Sequence, residues 1–201
     1  FESIKKIKDS LKLKKDHLII SSLGFVTPPK QIPLILQALH NVKKDIPKFT
    51  FIIAGEISSS VDLNYYIKKF NLKNNIMITN YISLIKFNEI IMASDFIINL
   101  RYPSAGETSA ALFRALQMGK PAIIYDYSSF SDLPNKGTFK IKLNTLNCSS
   151  LENAIKKLTN NKKLRENKSA YIKDFISKEH NIHKVALQIN DFIGKVENNY
   201  N

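Results

Sequence analysis

The stretch LRYPSAGETSAALFRALQMGKPAIIYD (100–126) contains the local pattern that decides the fold. It leaves an apolar run, passes through a turn rich in Pro and Gly, and continues as a predicted helix from Glu107 to Met118. Gly119 ends that helix, and KPAIIYD (120–126) has the composition of a buried strand. A strand, a helix and a second strand in this order indicate a parallel α/β sheet.

The same alternation extends over most of the chain. Apolar runs at 17–24, 49–55, 74–82 and 95–100 predict strands, and FKIKL (139–143) predicts a short sixth strand. Helical patterns lie between and after them, at 30–46, 61–72, 84–94, 149–178 and 180–196. Short apolar strands separated by helices predict a sheet that is covered on both faces. We therefore expect an α/β fold, a Rossmann-like doubly wound parallel sheet with C-terminal helices.

The pattern divides the chain into three parts. Residues 1–16 are basic and loosely helical, and we expect a linker or terminal helix there. That segment either contacts an anionic surface or is the tail of a preceding domain, and the second alternative is favoured. Residues 17–178 form the predicted sheet domain, and 179–201 form a C-terminal helix and tail. Because the chain begins with Phe1 rather than Met, we expect a fragment of a longer protein.

The charge balance is strongly basic. Thirty Lys and Arg residues against 17 Asp and Glu residues give a formal net charge of +13. Such a balance suits a nucleic acid, an acidic membrane surface or a phosphorylated ligand, although the scattered lysines also fit solvated faces. Cys148 is the single cysteine, so no intrachain disulfide is possible, and no apolar run is long enough to span a bilayer. We expect a cytoplasmic location, with the inner face of the membrane left open.

Ligands of open α/β sheets bind beyond the carboxyl ends of the strands. In the first such loop, Gly24 permits a close approach of a ligand and Lys30 is predicted to open the next helix. A lysine at a helix N-terminus opposes the helix dipole, which an anionic ligand would explain, and the alternative is a solvated lysine. The second strand ends in IAGE (53–56), where Gly55 clears space and Glu56 is a weaker candidate.

The loop after the fourth predicted strand is the most informative. Its backbone from Gly106 to Ser109 is predicted to open a helix, and unpaired N–H groups at a helix start form an anion site. Glu107 can accept hydrogen bonds from the hydroxyl groups of a sugar, and Arg101 precedes it. The alternative is that the loop only caps the helix, through Ser104 or Thr108, with Glu107 complementing the dipole.

These loops, in this order, resemble the C-terminal domain of GT-B glycosyltransferases, specifically glycosyltransferase family 4. The matching features are Gly24 followed by Lys30, the strand end IAG (53–55), and RYPSAGETS followed by RALQMGKP (101–121). The resemblance covers His17 to Ile193. It implies a hexosyltransferase of cell-envelope polysaccharide biosynthesis that transfers a sugar from a nucleoside-diphosphate sugar to an acceptor hydroxyl, with retention.

The resemblance also implies roles for individual residues. Lys30 would contact the donor diphosphate, and the backbone from Gly106 to Ser109 would cradle phosphate with the help of Thr108. Glu107 would be catalytic at the donor sugar, with Arg101 on phosphate or on Glu107. The acceptor site would lie on an N-terminal Rossmann-like domain missing from this chain, so the fragment would be inactive alone. No D-x-D motif is present, so no metal or other cofactor is expected.

Two positions depart from the family pattern. Phe25 stands where the family has an Arg directly after the first Gly, and Arg114 stands in place of a second Glu that normally holds the ribose. Arg114 could instead form an ion pair with a helical neighbour. These departures give weight to a noncatalytic scaffold. A basic nucleic-acid-binding module is the other alternative. It would bind through the aromatic residues Tyr65, Tyr66, Phe70 and Tyr81. These residues are better explained by packing, so no nucleic-acid partner is expected.

Overall fold

The computed structural model describes residues 4–144 and 147–200, with the side chains of 182 and 197–200 left out. Six parallel strands form one sheet in the order β3-β2-β1-β4-β5-β6. The strands are β1 Leu18–Leu23, β2 Phe49–Ala54, β3 Ile76–Asn80, β4 Phe96–Asn99, β5 Ala122–Tyr125 and β6 Thr138–Ile141. The predicted doubly wound α/β sheet is confirmed, including its sixth strand.

Eight helices surround the sheet within the described ranges. They are α1 Ile4–Ser10, α2 Ile32–Val42, α3 Leu63–Lys69, α4 Leu84–Ala93, α5 Ala110–Gln117, α6 Ser149–Asn160, α7 Lys162–Glu179 and α8 Ile182–Tyr200. The predicted helix at 149–178 is two helices, because Asn161 leaves the helical conformation and its side chain accepts a hydrogen bond from the Leu164 N–H at 2.8 Å. Pro33 lies in the first turn of α2, as expected.

The two faces of the sheet carry separate hydrophobic cores. Side chains alternate along a strand, so Ile20 and Phe51 pack under α2 and α6. Their neighbours Ile19 and Ile52 pack on the other face, under α1, α4, α5 and α7. All four of these side chains are fully buried. Near-continuous apolar strands are therefore explained by burial on both faces.

The basic N-terminal segment is helical and packs on the sheet domain. Ile7, Leu11 and Leu13 are buried in the second core, and α1 lies against α4. One stripe of the segment is thus covered, whereas most of its lysines face outward.

The topology points to one crevice. β1 and β4 are neighbours at the centre of the sheet, and the chain proceeds from them toward opposite edges. Loops that follow these strands therefore diverge and leave a crevice at their carboxyl ends. The loops around Gly24, Gly55 and Arg101 all lie at this edge, because each directly follows a strand.

Candidate functional site

The carboxyl ends of β1 and β2 pack closely against each other at two glycines. Gly24 has φ 87° and donates its N–H to the Ala54 carbonyl at 2.8 Å, and Gly55 has φ 147°. A Cβ atom on Gly55 would overlap the backbone carbonyl of Gly24. Gly55 therefore clears space for the neighbouring backbone, rather than for a ligand as the sequence suggested.

Lys30 is buried next to the contact between Gly24 and Gly55. It lies in a 3-10 turn, Pro28–Lys30, and Gln31 at φ 54° separates that turn from α2. The side chain is only 4% exposed, and its ammonium group donates a hydrogen bond to the Leu23 carbonyl. The prediction that Lys30 opens α2 is wrong, and so is the alternative of a solvated lysine.

The surroundings of Lys30 favour the binding of an anion. Burial, and then the positive charge of Arg101, lower the pKa of the Lys30 ammonium group from 10.5 to about 8. Within the described ranges, no carboxylate forms an ion pair with Lys30. A buried cation beside a second cation is unfavourable unless an anion joins them. The pocket is therefore suited to a negatively charged ligand.

Arg101 and Glu107 form the ion pair of the β4–α5 loop. Arg101 Nη1 lies 2.6 Å from Glu107 Oε1, and Glu107 Oε2 accepts hydrogen bonds from Ser104 Oγ at 3.0 Å and the Ala105 N–H at 2.7 Å. The bond to Arg101, followed by backbone hydrogen bonds and the bond to Ser104, lowers the pKa of Glu107 to about 2. Glu107 is thus ionised and fixed within its own loop.

Helix α5 begins later than the sequence predicted. Its first residue is Ala110, because the Ser109 hydroxyl caps the helix by accepting a hydrogen bond from the Leu112 N–H at 3.3 Å. The prediction that Glu107 opens the helix is wrong, and a cap at Thr108 is also wrong. The physical reason is that the carboxylate of Glu107 is already held by the loop before it.

The predicted phosphate cradle is consequently an exposed loop rather than a helical turn. Gly106 has φ 88°, and a Cβ atom added to it would meet no atom within 4 Å. Its N–H donates to Ser104 Oγ at 3.3 Å, so Ser104 braces the loop instead of capping α5. Thr108 is exposed beside it. The backbone from Gly106 to Thr108 is accessible to a ligand. Of the predicted cradle residues, only Ser109 belongs to the start of the helix.

Asn99 is a site residue that the sequence analysis missed. It is 4% exposed at the end of β4, its Oδ1 lies 3.5 Å from Ser109 Oγ, and its Nδ2 has no hydrogen-bond partner in the described structure. The Nε of Arg101 is buried and unpartnered in the same way. Buried donors without acceptors are unfavourable, so they call for an acceptor-rich ligand or bound water. A polar residue ending the apolar run DFIINL was the available signal.

An aromatic cavity adjoins the cationic pocket. It has a volume of about 350 Å³ and is lined by Gly24, Phe25, Gly55, Glu56, Tyr81, Ile82 and Phe87. Phe25 and Tyr81 expose 54% and 83% of their surface. Gly24 joins the two spaces, since a Cβ atom on it would lie 3.3 Å from Lys30 Nζ. The expectation that Tyr81 serves packing is wrong, and Tyr65 is likewise half-exposed.

Arg114 does not make the ion pair suggested for it. It is exposed on α5, and within the described residues its guanidinium group forms no salt bridge. Ala111, one turn earlier on the same helix, lies within 3.4 Å of the Cβ position of Gly24. Arg114 therefore lies one helical turn beyond the part of α5 that contacts Gly24, and its side chain has no ion-pair partner in the described structure.

Residues 4–144 and 147–200 contain neither a metal-binding cluster nor a membrane-spanning helix. No group of three or more His, Cys, Asp or Glu side chains is placed to hold a metal ion. No described helix is both long enough and apolar enough to cross a bilayer. The absence of a metal cofactor stays a prediction.

The sequence profile described as "Glycosyl transferases group 1" matches residues 3–175. This chain belongs to that family. No curated protein sequence matches it. The group 1 glycosyl transferase profile spans every strand and α1 to α6, and it ends within α7. The cationic pocket, the aromatic cavity and the β4–α5 loop all lie within the matched range.

Solved structures share the fold of this group 1 domain. The C-terminal domain of a glycosyl transferase group 1 family protein (LpcC) from Francisella tularensis has a TM-score of 0.75 at 14% identity, covering 90% of this chain and 95% of that one. Anabaena Alr3699/HepE, in complex with UDP, has a TM-score of 0.83 at 14% identity and covers 96% of this chain. WaaG, "a glycosyltransferase involved in lipopolysaccharide biosynthesis", has a TM-score of 0.74 at 13% identity.

This chain spans about half of two of these neighbours, 52% of HepE and 47% of WaaG. It spans 95% of the LpcC C-terminal domain and shares its fold. At these levels of identity the structural similarity concerns the fold alone.

Proposed function

We propose that this chain is the donor-binding domain of a family 4 glycosyltransferase that moves a hexosyl unit from a nucleoside-diphosphate sugar to an acceptor hydroxyl, with retention. The observation that carries the proposal is Lys30, a buried ammonium group beside a second cation and without an ion pair in the described structure. A diphosphate supplies the charge that this pocket lacks.

The diphosphate would be held by three donors. Lys30 has one hydrogen bond to Leu23 and two further N–H donors, and Asn99 Nδ2 and Arg101 Nε are both buried without partners. Negative charge grows on the leaving diphosphate as the glycosidic bond breaks. Fixed positive groups at that position would lower the barrier, because they stabilise the charge of the transition state. The exposed backbone of Gly106 and Thr108 would contact the same phosphates.

The nucleoside would occupy the aromatic cavity. Its volume of about 350 Å³ is in the range of small-molecule sites, and it opens directly beside Lys30 through Gly24. The exposed rings of Phe25 and Tyr81 offer stacking surfaces for a base. Phe25 would thus contribute a stacking surface at a position where the family resemblance has an Arg, and Glu56 could accept hydrogen bonds from the nucleoside.

Glu107 would act on the donor sugar after a change of partner. Arg101 Nη1 lies 2.6 Å from Glu107 Oε1. A diphosphate competes for the guanidinium group, since phosphate and guanidinium form strong charge-assisted hydrogen bonds. Release of Arg101 would leave Glu107 held by Ser104 and the Ala105 N–H, with one oxygen available to a sugar hydroxyl.

The neighbours support the class of donor and acceptor. HepE structures contain UDP, UDP-glucose, and UDP with glucose, and TarM from S. aureus was solved with UDP. We therefore expect a uridine diphosphate sugar first among the nucleotides. WaaG acts in lipopolysaccharide biosynthesis, which supports an acceptor of the cell envelope.

The remaining parts of the reaction would lie outside this chain. We propose that a second Rossmann-like domain supplies the acceptor site, that domain closure excludes water, and that this domain alone is inactive. No metal would take part. The net charge of +13 favours contact with an anionic membrane on the cytoplasmic side, close to a membrane-bound acceptor.

Calorimetric titration with UDP, GDP and ADP tests the proposal. We expect saturable binding of one nucleotide, weakened about 10- to 100-fold by Lys30→Ala, because a hydrogen bond to a charged group contributes about 1.5–3 kcal/mol. Lys162→Ala is the matched control, since Lys162 is 80% exposed on another face. Equal affinities of the two variants would contradict the assignment of Lys30.

A noncatalytic scaffold is the second candidate. The unpaired Arg114 favours it, because the carboxylate that normally holds the ribose is replaced by a cation. No binding of any nucleotide, together with an intact fold by circular dichroism, would support the scaffold and contradict donor binding. Sequence-selective binding of an oligonucleotide would instead support the nucleic-acid alternative.

A further inference from the structure

An apolar surface lies where α1 and α4 meet, and it adjoins the proposed donor cavity, with which it shares Tyr81. We call it the α1–α4 patch and define it by Ile4, Tyr81, Leu84 and Ile85. These side chains are 54%, 83%, 58% and 74% exposed. Adjacent exposed apolar side chains of this size mark an interaction surface more often than chance does.

The patch is continuous across the two helices. Ile7 follows Ile4 by one helical turn, and Ile7 lines a groove of about 300 Å³ together with Ile85 and Met92. Tyr81 and Phe87 of the same segment also line the aromatic cavity. The patch therefore begins at the rim of the proposed donor site and extends along α1 and α4.

The segment that carries Ile4 has an excess of positive charge. Residues 4–16 contain six lysines and two aspartates, and one of these, Asp16, is paired with Lys48 at 2.9 Å. Lys5 on α1 and Lys12, which follows the end of α1 at Ser10, are both exposed. On α4, Glu89 lies 3.0 Å from Lys86 and is thereby neutralised. The surface thus combines exposed apolar side chains with excess cationic charge.

We propose that the α1–α4 patch docks this domain on an anionic lipid bilayer. Apolar side chains would enter the interface between headgroups and acyl chains, and the lysines of α1 would lie at the anionic headgroups. The combination of exposed apolar side chains and an excess of lysines favours this partner, because both the acyl chains and the anionic headgroups of a bilayer are then contacted. The docking does not depend on nucleotide binding, although it would open the proposed donor cavity beside the membrane.

Helix α8 is the competing apolar surface. Its stripe of Val185, Ile189, Phe192, Ile193 and Val196 is 37–67% exposed. Among its described side chains the charges nearly cancel, since Lys184 lies 2.7 Å from Glu179 and Asp191 opposes Lys195. An interfacial helix on anionic lipid is normally cationic, so α8 fits this partner less well than the α1–α4 patch.

Tryptophan fluorescence tests the proposal, because the chain contains no Trp. Ile85→Trp places a single probe in the patch, and Leu187→Trp places a matched probe on exposed α8. Phosphatidylcholine vesicles containing phosphatidylglycerol should shift the emission of the first probe to shorter wavelength. Pure phosphatidylcholine vesicles should shift neither. A shift of the Leu187→Trp probe alone would overturn the proposal in favour of α8.

A charge test separates the lysines of the patch from the total charge. In the Ile85→Trp background, Lys5→Gln and Lys12→Gln should each weaken partition about fivefold, the effect expected of one lysine near an anionic surface. Lys162→Gln removes the same charge elsewhere and should have a smaller effect. Equal losses for all three would overturn the proposal, as would a blue-shifted emission without vesicles that grows with protein concentration, which indicates a second copy. UDP titration of the same variants reports separately on the donor site.

Discussion

The buried ammonium group of Lys30 makes the stability of the domain depend on pH. Its pKa is 10.5 in ordinary surroundings and about 8 in the folded chain. Folding therefore disfavours the charged form. At neutral pH this costs about 3 kcal/mol, since each unit of pKa corresponds to about 1.4 kcal/mol. The cost is fully present below pH 8 and is lost as the pH rises toward 10.5.

Lys30→Met isolates this effect. Methionine keeps an unbranched stem of similar shape and carries no charge. Between about pH 7 and about pH 9.5, the wild-type chain should gain about 2 kcal/mol in free energy of unfolding relative to Lys30→Met. All other groups titrate in both chains, so they cancel in the difference. The hydrogen bond to Leu23 weakens when the ammonium group loses its proton, and that change is already included in the pKa of about 8.

Urea unfolding, followed by far-UV circular dichroism at the two pH values, measures the difference. A stability difference that does not change with pH would refute the buried, charge-disfavoured state of Lys30. Saturating nucleotide provides an internal check. A bound diphosphate favours the ammonium form, so it should reduce the pH dependence of the wild-type chain and leave Lys30→Met unaffected.

Two further predictions concern packing. Tyr125 has a buried hydroxyl without a partner in the described structure, and burial raises its pKa to about 12; Tyr125→Phe should raise the free energy of unfolding by about 1 kcal/mol in urea titrations. A loss of stability would mean that the hydroxyl is satisfied. Gly55→Ala should cost about 3 kcal/mol by overlap with the Gly24 carbonyl, whereas Gly106→Ala should cost only about 1 kcal/mol of backbone strain. Similar thermal midpoints for the two alanine variants would contradict the close approach.

The strands were predictable because their signal is local. Each is an apolar run ended by a turn residue, and burial on both faces requires only such a run. The start of α5 could not be predicted in this way, because PSAGETS contains several residues that are able to cap a helix. Which of them does so depends on Arg101, which holds Glu107 from the end of a strand and leaves Ser109 as the cap.

The candidate site shows the same division. The glycines, Lys30 and the loop around Glu107 were identifiable by residue type, but their contacts were not. The burial of Lys30 depends on the carbonyl of Leu23, and Asn99 is notable only because its amide nitrogen lacks an acceptor in three dimensions. The exposure of Tyr81 depends on the absence of a neighbouring element over it, which no local pattern reports.

The strand order also affects how this chain folds. β1 is a central strand, and β4, its neighbour on one side, comes much later in the sequence. For example, Ile19 donates its N–H to the side chain of Asp95, which is 76 residues away. During synthesis, β1, β2 and β3 are complete while one side of β1 still lacks its partner. Closure of that long loop should make folding slow, and an unpaired apolar strand is prone to aggregate in the interval. The candidate site lies where β1 and β4 are paired. The pocket can therefore form only after the residues that follow β4 have been synthesised.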